Sequence, residues 1–308
     1  MNRQEIIEIL ACMPRGRTPF YYFKDRYALM LMGLAFDKPV SKAQVREAGY
    51  GRLLDKQIVK EAIGKYGKGK VSAEICDAHW PLDPQCYMLK LGAWGMCHRW
   101  SAQTSRRGYN IVLQLNFTMQ HTKQYHDVLD PDEDYYFECY GHPVTKDKRR
   151  TLAWSRIDVD LDSDEALIEE IQNDWLRIAM RARKRAERFS NSILLRGKRV
   201  SSAKVIEYVD EVLAPHFKIW DEAMLAATIW FLREEIGISR IFYHTHEYGS
   251  KLKRIDWSQP PRSLYTALPR RFCFEQTDEC PELLMKGVKT GKNKRLLKEA
   301  QFQKLQWE

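Results

Sequence analysis

The chain has 308 residues, which is enough for a sizeable core and for two structural units. Hydrophobic residues make up 44% and aromatic residues 12%, which excludes general disorder, and no apolar run is long enough to span a bilayer. The net charge of +9 favours an anionic partner such as nucleic acid. The seven cysteines form no C-x-x-C pair, and residues 1–16 lack the apolar stretch of a signal peptide, so we expect free thiols and a cytoplasmic protein without membrane contact.

Residues 1–105 are predicted to form a mainly helical N-terminal region. Residues 26–36 have the composition of a buried helix, and Ser41 is a suitable N-cap for a short helix that ends at Gly49. Apolar residues at helical spacing predict a further helix within 53–70, whereas the end of this region is expected to be irregular. Short basic helices joined by tight turns form either a helix-turn-helix or a helical cap on the main domain, and both interpretations stay open.

Residues 106–284 are predicted to form a mixed α+β domain. Strands at 109–119, 134–141, 151–161 and 166–172 are predicted to form an antiparallel meander. After it we predict helices at 174–190, 201–213 and 219–237, a strand at 239–247, a short helix at 263–268 and a final strand at 271–277. Residues 285–308 are expected to be a basic tail with one loosely packed helix. The expected fold class is α+β, with an antiparallel-to-mixed sheet flanked by helices.

Charge is unevenly distributed along the chain. Residues 158–174 contain eight acidic residues and no Lys or Arg, whereas residues 177–204 contain ten basic residues and a single acidic one. The basic stretch is explained either by a solvated helix face or by a groove that binds phosphates. The residues predicted to contact nucleic acid are Arg177, Arg181, Arg185, Arg188, Lys198 and Arg199.

Two patterns suggest metal ligands. The alternating aspartates of residues 158–164 resemble a calcium loop, but Ser163 replaces the glycine that such a loop needs, so an acidic hairpin turn explains them better. Cys139 with His142, and His244 with His246, are potential zinc ligands, and a strand would place both members of the second pair on one face. No third and fourth ligand is evident in the sequence, so we predict no metal site.

The strand–helix junction in "ALIEEIQNDW", residues 166–175, is the strongest candidate site. Glu169, Glu170 and Gln172 interrupt the apolar fourth strand near its end, where one face changes from apolar to polar. A strand that ends at a cleft has this pattern, and a solvated strand end is the alternative. Asn173 or Asp174 can cap the next helix, whose N–H groups and dipole favour an anionic ligand.

The segment "LIEEIQNDW" resembles the "EEIQSDW" signature of domains in large polyvalent proteins of phages and mobile elements. In that family a strand with a basic residue, like "AWSRIDVD" here, precedes the signature. A helix like "WDEAMLAATIWFLREEIG" and a strand like "SRIFYHT" follow it. The resemblance covers roughly residues 150–275 and implies kinship with that lineage without naming a reaction.

The order of elements is also similar to that of the GNAT acyltransferase fold. This similarity implies acetyl-CoA as a donor and Tyr265, in "SLYTALPRRFCF", as the acid that protonates the thiolate leaving group. GNAT enzymes hold the pyrophosphate of coenzyme A in a glycine-containing loop after the fourth strand. Here Gln172 is followed by "NDWLRI", which has no glycine, so the cofactor is left open.

The leading hypothesis is a GNAT-like transferase of phage or defence lineage that modifies a nucleic acid or a nucleic-acid-bound target. Glu170 or His244 would be the general base and Tyr265 the general acid. The candidate catalytic residues are Glu169, Glu170, Gln172, Asp174, His244, His246 and Tyr265. The alternatives are a non-catalytic nucleic-acid-binding protein and a protein-interaction component of a defence or mobile-element system.

Overall fold

The computed structural model describes residues 1–12, 18–67, 69–95, 103–131, 136–146, 148–253, 255, 260–286 and 291–307. Within these residues, eight strands form one mixed sheet that helices flank, and an N-terminal helix precedes it. The predicted fold class is therefore confirmed. In the part of the chain that the structure describes, no helix is both long enough and apolar enough to cross a membrane.

The strands and helices have the following bounds. The strands are β1 (Thr18–Tyr22), β2 (Val40–Ser41), β3 (Lys70–Val71), β4 (Gln85–Trp94), β5 (Asn110–Asn116), β6 (Thr151–Asp160), β7 (Glu165–Gln172), β8 (Ser192–Leu195), β9 (Lys198–Ser201), β10 (Arg240–His244), β11 (Glu275–Thr277) and β12 (Phe302–Gln306). The α-helices are α1 (Arg3–Cys12), α2 (Arg26–Ala35), α3 (Lys42–Glu47), α4 (Gln57–Ala62), α5 (Ala73–Ala78), α6 (Met119–Leu129), α7 (Trp175–Arg188), α8 (Ser202–Glu207), α9 (Ala214–Phe217), α10 (Trp220–Trp230), α11 (His246–Lys253), α12 (Ala267–Arg271), α13 (Glu282–Met285) and α14 (Gly291–Glu299). Short 3₁₀ segments cover Gly51–Asp55 and Arg262–Tyr265, and π-helical segments cover Ile63–Gly67, Tyr208–Val212 and Phe231–Ile236.

The large sheet has the strand order β1-β4-β5-β6-β7-β10-β12-β11. All of its neighbouring strands are antiparallel except β7 and β10, which run parallel. The parallel pairing extends only from Arg240 opposite Glu165 to Tyr243 opposite Ile168. β7 continues for four more residues, to Gln172, paired with β6 alone. The two strands therefore separate after Ile168 and Tyr243, and the sheet is open between them at this end.

Local sequence explains the elements that were predicted correctly. Ser41 accepts a hydrogen bond from the Gln44 N–H at 3.3 Å and forms a capping box at the start of α3. The helix that begins at Trp220 is buried along most of its length and ends at Gly237, whose φ of +83° suits the absence of a side chain. The hairpin of β6 and β7 turns at residues 161–164, as the acidic turn predicts.

The predicted strand at 134–141 is wrong in its described part. Residues 136–141 form turns and irregular backbone, and the buried Phe137 packs against Trp175 and Tyr208 rather than pairing in the sheet. The first strand of the meander is instead β4, in a region that we expected to be irregular. The prolines just before β4 indicated a loop and so led to the wrong prediction. The alternation of buried Tyr87 and Leu89 is the pattern typical of a strand.

The expectation of a loosely packed helical tail at 285–308 is also wrong. Helix α14 is present, but it leads into β12, which lies between β10 and β11 in the sheet. Phe302 is fully buried and lies 6.4 Å, ring to ring, from Phe242. A five-residue strand after a basic helix gives a weak sequence signal, and its partners lie far away along the chain.

We expect Phe302→Ala to lower the free energy of unfolding by about 3–5 kcal/mol, because it removes a fully buried ring from the core. Urea unfolding measures this loss, and Leu194→Ala, at an exposed leucine, is the control. A loss for Phe302→Ala that stays within about 0.5 kcal/mol, as at a surface position, would contradict the placement of β12 in the sheet.

Candidate functional site

A β-bulge lies near the end of β7, and two consecutive glutamates at this point are buried. Arg156 on β6 pairs with Glu170, and the next residue, Ile157, pairs with Ile168, so Glu169 is the extra residue. A bulge breaks the strict alternation of side chains between the two faces of a strand. Glu169 is fully buried and Glu170 is 8% exposed. Two neighbouring carboxylates are thus withdrawn from water, and each needs compensating partners.

The carboxylate of Glu169 is saturated by hydrogen bonds. Ser105 donates its backbone N–H to Oε1 at 2.8 Å and its hydroxyl to Oε2 at 2.7 Å. His244 Nε2 lies 3.1 Å from Oε2, and Lys253 Nζ donates to the Glu169 carbonyl at 2.6 Å. Burial raises the pKa of Glu169, but the hydrogen bond of His244 and the charges of Lys253 and Arg156 outweigh it and lower the pKa to about 2. Glu169 is therefore ionised and fully engaged inside the protein.

Glu170 forms an ion pair with Arg156, which also donates to the Gln103 carbonyl at 3.0 Å. Burial raises the pKa of Glu170, and the charges of Arg156 and Lys253 reverse the shift, so the pKa is lowered. Together, the two glutamates and these two cations make an electrically balanced cluster, which is what burial of charge requires.

His244 ends β10 and is completely buried. Burial lowers its pKa, although Glu169 opposes the shift. Its Nδ1 atom, like the hydroxyls of the stacked Tyr243 and Tyr265, has no hydrogen-bond partner within the described part of the chain. A Cβ at Gly249 would lie 2.9 Å from the His244 Cβ, so α11 approaches His244 closely only because residue 249 is glycine.

The prediction that His244 and His246 share one strand face is wrong. β10 ends at His244, and His246 is the first residue of α11. Its Nε2 lies 3.2 Å from the Pro260 carbonyl. His246 and Tyr265 instead line a separate pocket of about 440 Å³. The apolar residues before His244 indicated a strand, and the predicted strand was extended too far, into residues that begin a helix.

The helix that follows β7 is capped as its sequence suggests. The Asn173 side-chain oxygen accepts the Leu176 N–H at 2.8 Å, and the Asn173 amide nitrogen is buried without a partner among the described residues. Asp174 bonds to His142 Nδ1 at 2.5 Å and forms an ion pair with Arg177. Burial raises the pKa of Asp174, but these two partners outweigh it and lower the pKa.

A cleft of about 730 Å³ opens at this junction. Its polar wall consists of Gln103, Cys139, His142, Glu170, Gln172, Asn173, Arg177 and Arg181. Its apolar wall consists of Ile171, Leu176, Met180, Phe217, Trp220, Ile255, Pro260, Pro261 and Leu264. The cleft thus combines one carboxylate of the buried cluster, the start of α7 and two cations with a hydrophobic surface of a size typical of ligand sites.

The structure does not bring all the predicted site residues together. Glu170, Gln172, Arg177 and Arg181 line the cleft, whereas the Glu169 and His244 side chains lie in the buried cluster. Asp174 contacts the cleft residues His142 and Arg177. Away from the cleft, Arg185, Arg188 and Arg199 are exposed, and Lys198 donates to the Asp130 carbonyl at 2.7 Å.

Several partners in the site were not predicted from the sequence. Arg156 could have been found from the sequence, because a basic residue in the strand before "EEIQSDW" is part of the resemblance. No sequence pattern indicates Ser105, Lys253 or Gln103, because each reaches the site from a distant part of the chain.

No family model matches the chain, and the search of curated proteins and that of solved structures likewise found no match.

We expect the free energy of unfolding to fall as pH is lowered from 7. Burial lowers the folded-state pKa of His121, His216 and His244, so the unfolded chain takes up protons first, below about pH 6.5. The pKa of Glu169 is lowered in the folded protein, so the free energy of unfolding should fall further between about pH 4.3, the unfolded pKa, and the folded pKa of about 2. Urea unfolding across this pH range measures the slopes.

In His244→Gln one of the three buried histidines is gone, so the slope between pH 6.5 and 5 should be shallower. His126→Gln, at a half-buried histidine on α6, is the control. An unchanged slope in His244→Gln would show that His244 is not held neutral by burial.

Proposed function

We propose that the chain is a GNAT-like transferase, of the phage and mobile-element lineage that "EEIQNDW" resembles, with its active site in the cleft at the β7–α7 junction. The observation that supports this proposal is the open end of the sheet, where β7 extends beyond its pairing with the parallel strand β10. A carboxylate, the start of a helix and two arginines line one cleft there. Clefts beyond the C-terminal ends of parallel strands are common ligand sites.

The cleft suits a phosphate-bearing thioester of the coenzyme A type. Arg177 and Arg181 offer positive charge, and the start of α7 offers its dipole, at one side of the cleft. The buried Asn173 amide supplies a further donor. These groups would take the place of the glycine-containing pyrophosphate loop of GNAT enzymes. Phe217, Trp220 and the other apolar residues of the wall would pack on the pantetheine arm.

Glu170 is the carboxylate placed to act as the base. Its lowered pKa keeps it ionised at neutral pH, and Arg156 fixes its position. An acceptor amine would attack the thioester carbonyl and lose its proton to Glu170 as the carbon–sulfur bond breaks. The proton would then pass from Glu170 to the departing thiolate, because Tyr265, the acid that the GNAT similarity implied, is buried and lines the separate pocket.

A basic stripe on α7 supports a nucleic-acid acceptor. Arg181, Arg185 and Arg188 are exposed at helical spacing, and no ion pair holds them among the described residues. The helix rises about 1.5 Å per residue, so the stripe leads roughly 10 Å away from the cleft. A polyanion bound along it would have one end at Glu170.

Arg181→Ala should weaken binding of acetyl-CoA, since it removes a charge-assisted contact worth about 1.5–3 kcal/mol, or roughly tenfold or more in Kd. Calorimetric titration of the purified chain measures this, with Arg3→Ala as the exposed-arginine control. Acetyl-CoA that fails to bind the unaltered chain, or that binds Arg181→Ala equally well, would contradict the proposed donor site.

Glu170→Gln should keep acetyl-CoA binding and lower the transfer rate roughly 100- to 10,000-fold. The test is acetyl transfer from radiolabelled acetyl-CoA to DNA or RNA, with the unfolding midpoint recorded to show that the variant is folded. A folded Glu170→Gln with full activity would remove Glu170 from the mechanism.

The basic stripe also favours a second candidate, a nucleic-acid-binding protein without catalysis. In that case the double variant Arg185→Ala/Arg188→Ala should lower duplex affinity, and the slope of log K against log salt should shrink by about 1.8. The exposed pair Lys294→Ala/Lys298→Ala on α14 is the control. Binding that persists unchanged in the first variant would exclude the stripe as the contact surface.

A further inference from the structure

A tight turn places a cysteine and a histidine side by side on the wall of the cleft. The His142 N–H donates to the Cys139 carbonyl at 3.0 Å, which closes a four-residue turn over "CYGH". Both side chains line the cleft and are half-buried. The C-x-x-H spacing matches that of ligand pairs in zinc sites, where a turn presents two ligands to one ion.

The start of α7 supplies a third ligand that the sequence did not reveal. Asp174 lies 32 residues beyond His142, yet one of its carboxylate oxygens, a ring nitrogen of His142 and Cys139 Sγ all lie within 4.8 Å of one another. Tetrahedral zinc holds such atoms roughly 3.5 Å apart, so a side-chain adjustment of about 1 Å would close the site. Among the described residues, this is the sole group of three such side chains close enough to share an ion.

We propose that Cys139, His142 and Asp174 bind one divalent metal ion of the zinc type, with a fourth position open to the cleft. The ion would replace the proton that His142 Nδ1 and Asp174 Oδ2 now share at 2.5 Å. A thiolate and a carboxylate would balance its charge of +2. Three protein ligands and an open position are the arrangement of catalytic rather than structural zinc.

Neighbouring side chains already orient the ligands. Arg177 donates to Oδ1 of Asp174 and leaves Oδ2 for the ion. The ring centroids of Trp154 and His142 lie 5.4 Å apart, with the ring planes steeply inclined to each other. Partners of this kind hold metal ligands in the correct orientation and strengthen binding. The open position would accept water, or a phosphate or carbonyl oxygen of a ligand in the cleft.

The test is titration of the chelator-treated full chain with cobalt(II), followed by competition with zinc. We expect one equivalent of cobalt to bind with a thiolate charge-transfer band in the near ultraviolet. The band should disappear in Cys139→Ser, and His142→Gln and Asp174→Asn should each weaken binding at least tenfold. Cys280→Ser, at another half-buried free cysteine, should leave both band and affinity unchanged.

Cobalt that binds without a thiolate band, or equally in Cys139→Ser and the unaltered chain, would overturn the proposed site, as would no binding at all. Near-ultraviolet circular dichroism of each metal-free variant shows that it is folded, so a loss of binding reports the ligand. Acetyl-CoA binding is measured on metal-free protein, so failure of the metal site and failure of the proposed function are separate results.

Discussion

The burial of two consecutive carboxylates in one strand is the constraint on which the rest of the site depends. Glu169 and Glu170 can leave water only because hydrogen bonds satisfy them and two cations balance their charge. Their partners come from β6, from the segment before β5, from the end of β10 and from α11. Each of these elements is therefore fixed relative to β7, and the open end of the sheet between β7 and β10 follows from that arrangement.

The two glutamates have different roles within this cluster. Glu169 has hydrogen bonds from Ser105 on both oxygens and is closed to solvent, so its place is architectural. Changing Glu169 would leave the buried donors of Ser105 without an acceptor, at about 1–3 kcal/mol for each, so a loss of activity would chiefly report loss of folding. Glu170 reaches the cleft while Arg156 holds it in place. A buried network thus supports one carboxylate that lines the cleft.

The sequence predicted elements whose signals are local and could not predict those that depend on distant contacts. The cap at Ser41, the helix that ends at Gly237, the β6–β7 hairpin and the polar end of β7 all follow from short-range patterns. The bulge at Glu169 has no local signal, because it exists only in the register with β6.

The sequence does not reveal that Lys253, Ser105 and β12 contribute to the centre of the structure. Lys253 and Ser105 lie more than fifty residues from Glu169, and β12 lies more than fifty residues from β10. The same limit applies to Asp174 beside "CYGH". Two ligands were evident from their spacing, and the third depends on how α7 begins after β7. Sequence patterns therefore located the junction but not the residues that complete it.

The central claim is that the β7–α7 junction is a ligand site rather than a capped helix beside a solvated strand. Hydrogen-exchange mass spectrometry of the full chain, with and without saturating coenzyme A, tests it directly. We expect slower exchange of the amides at residues 172–181 and 262–264, with the distant helices α3 and α4 unchanged. Protection that is absent from the junction, or that lies only elsewhere on the chain, would contradict it.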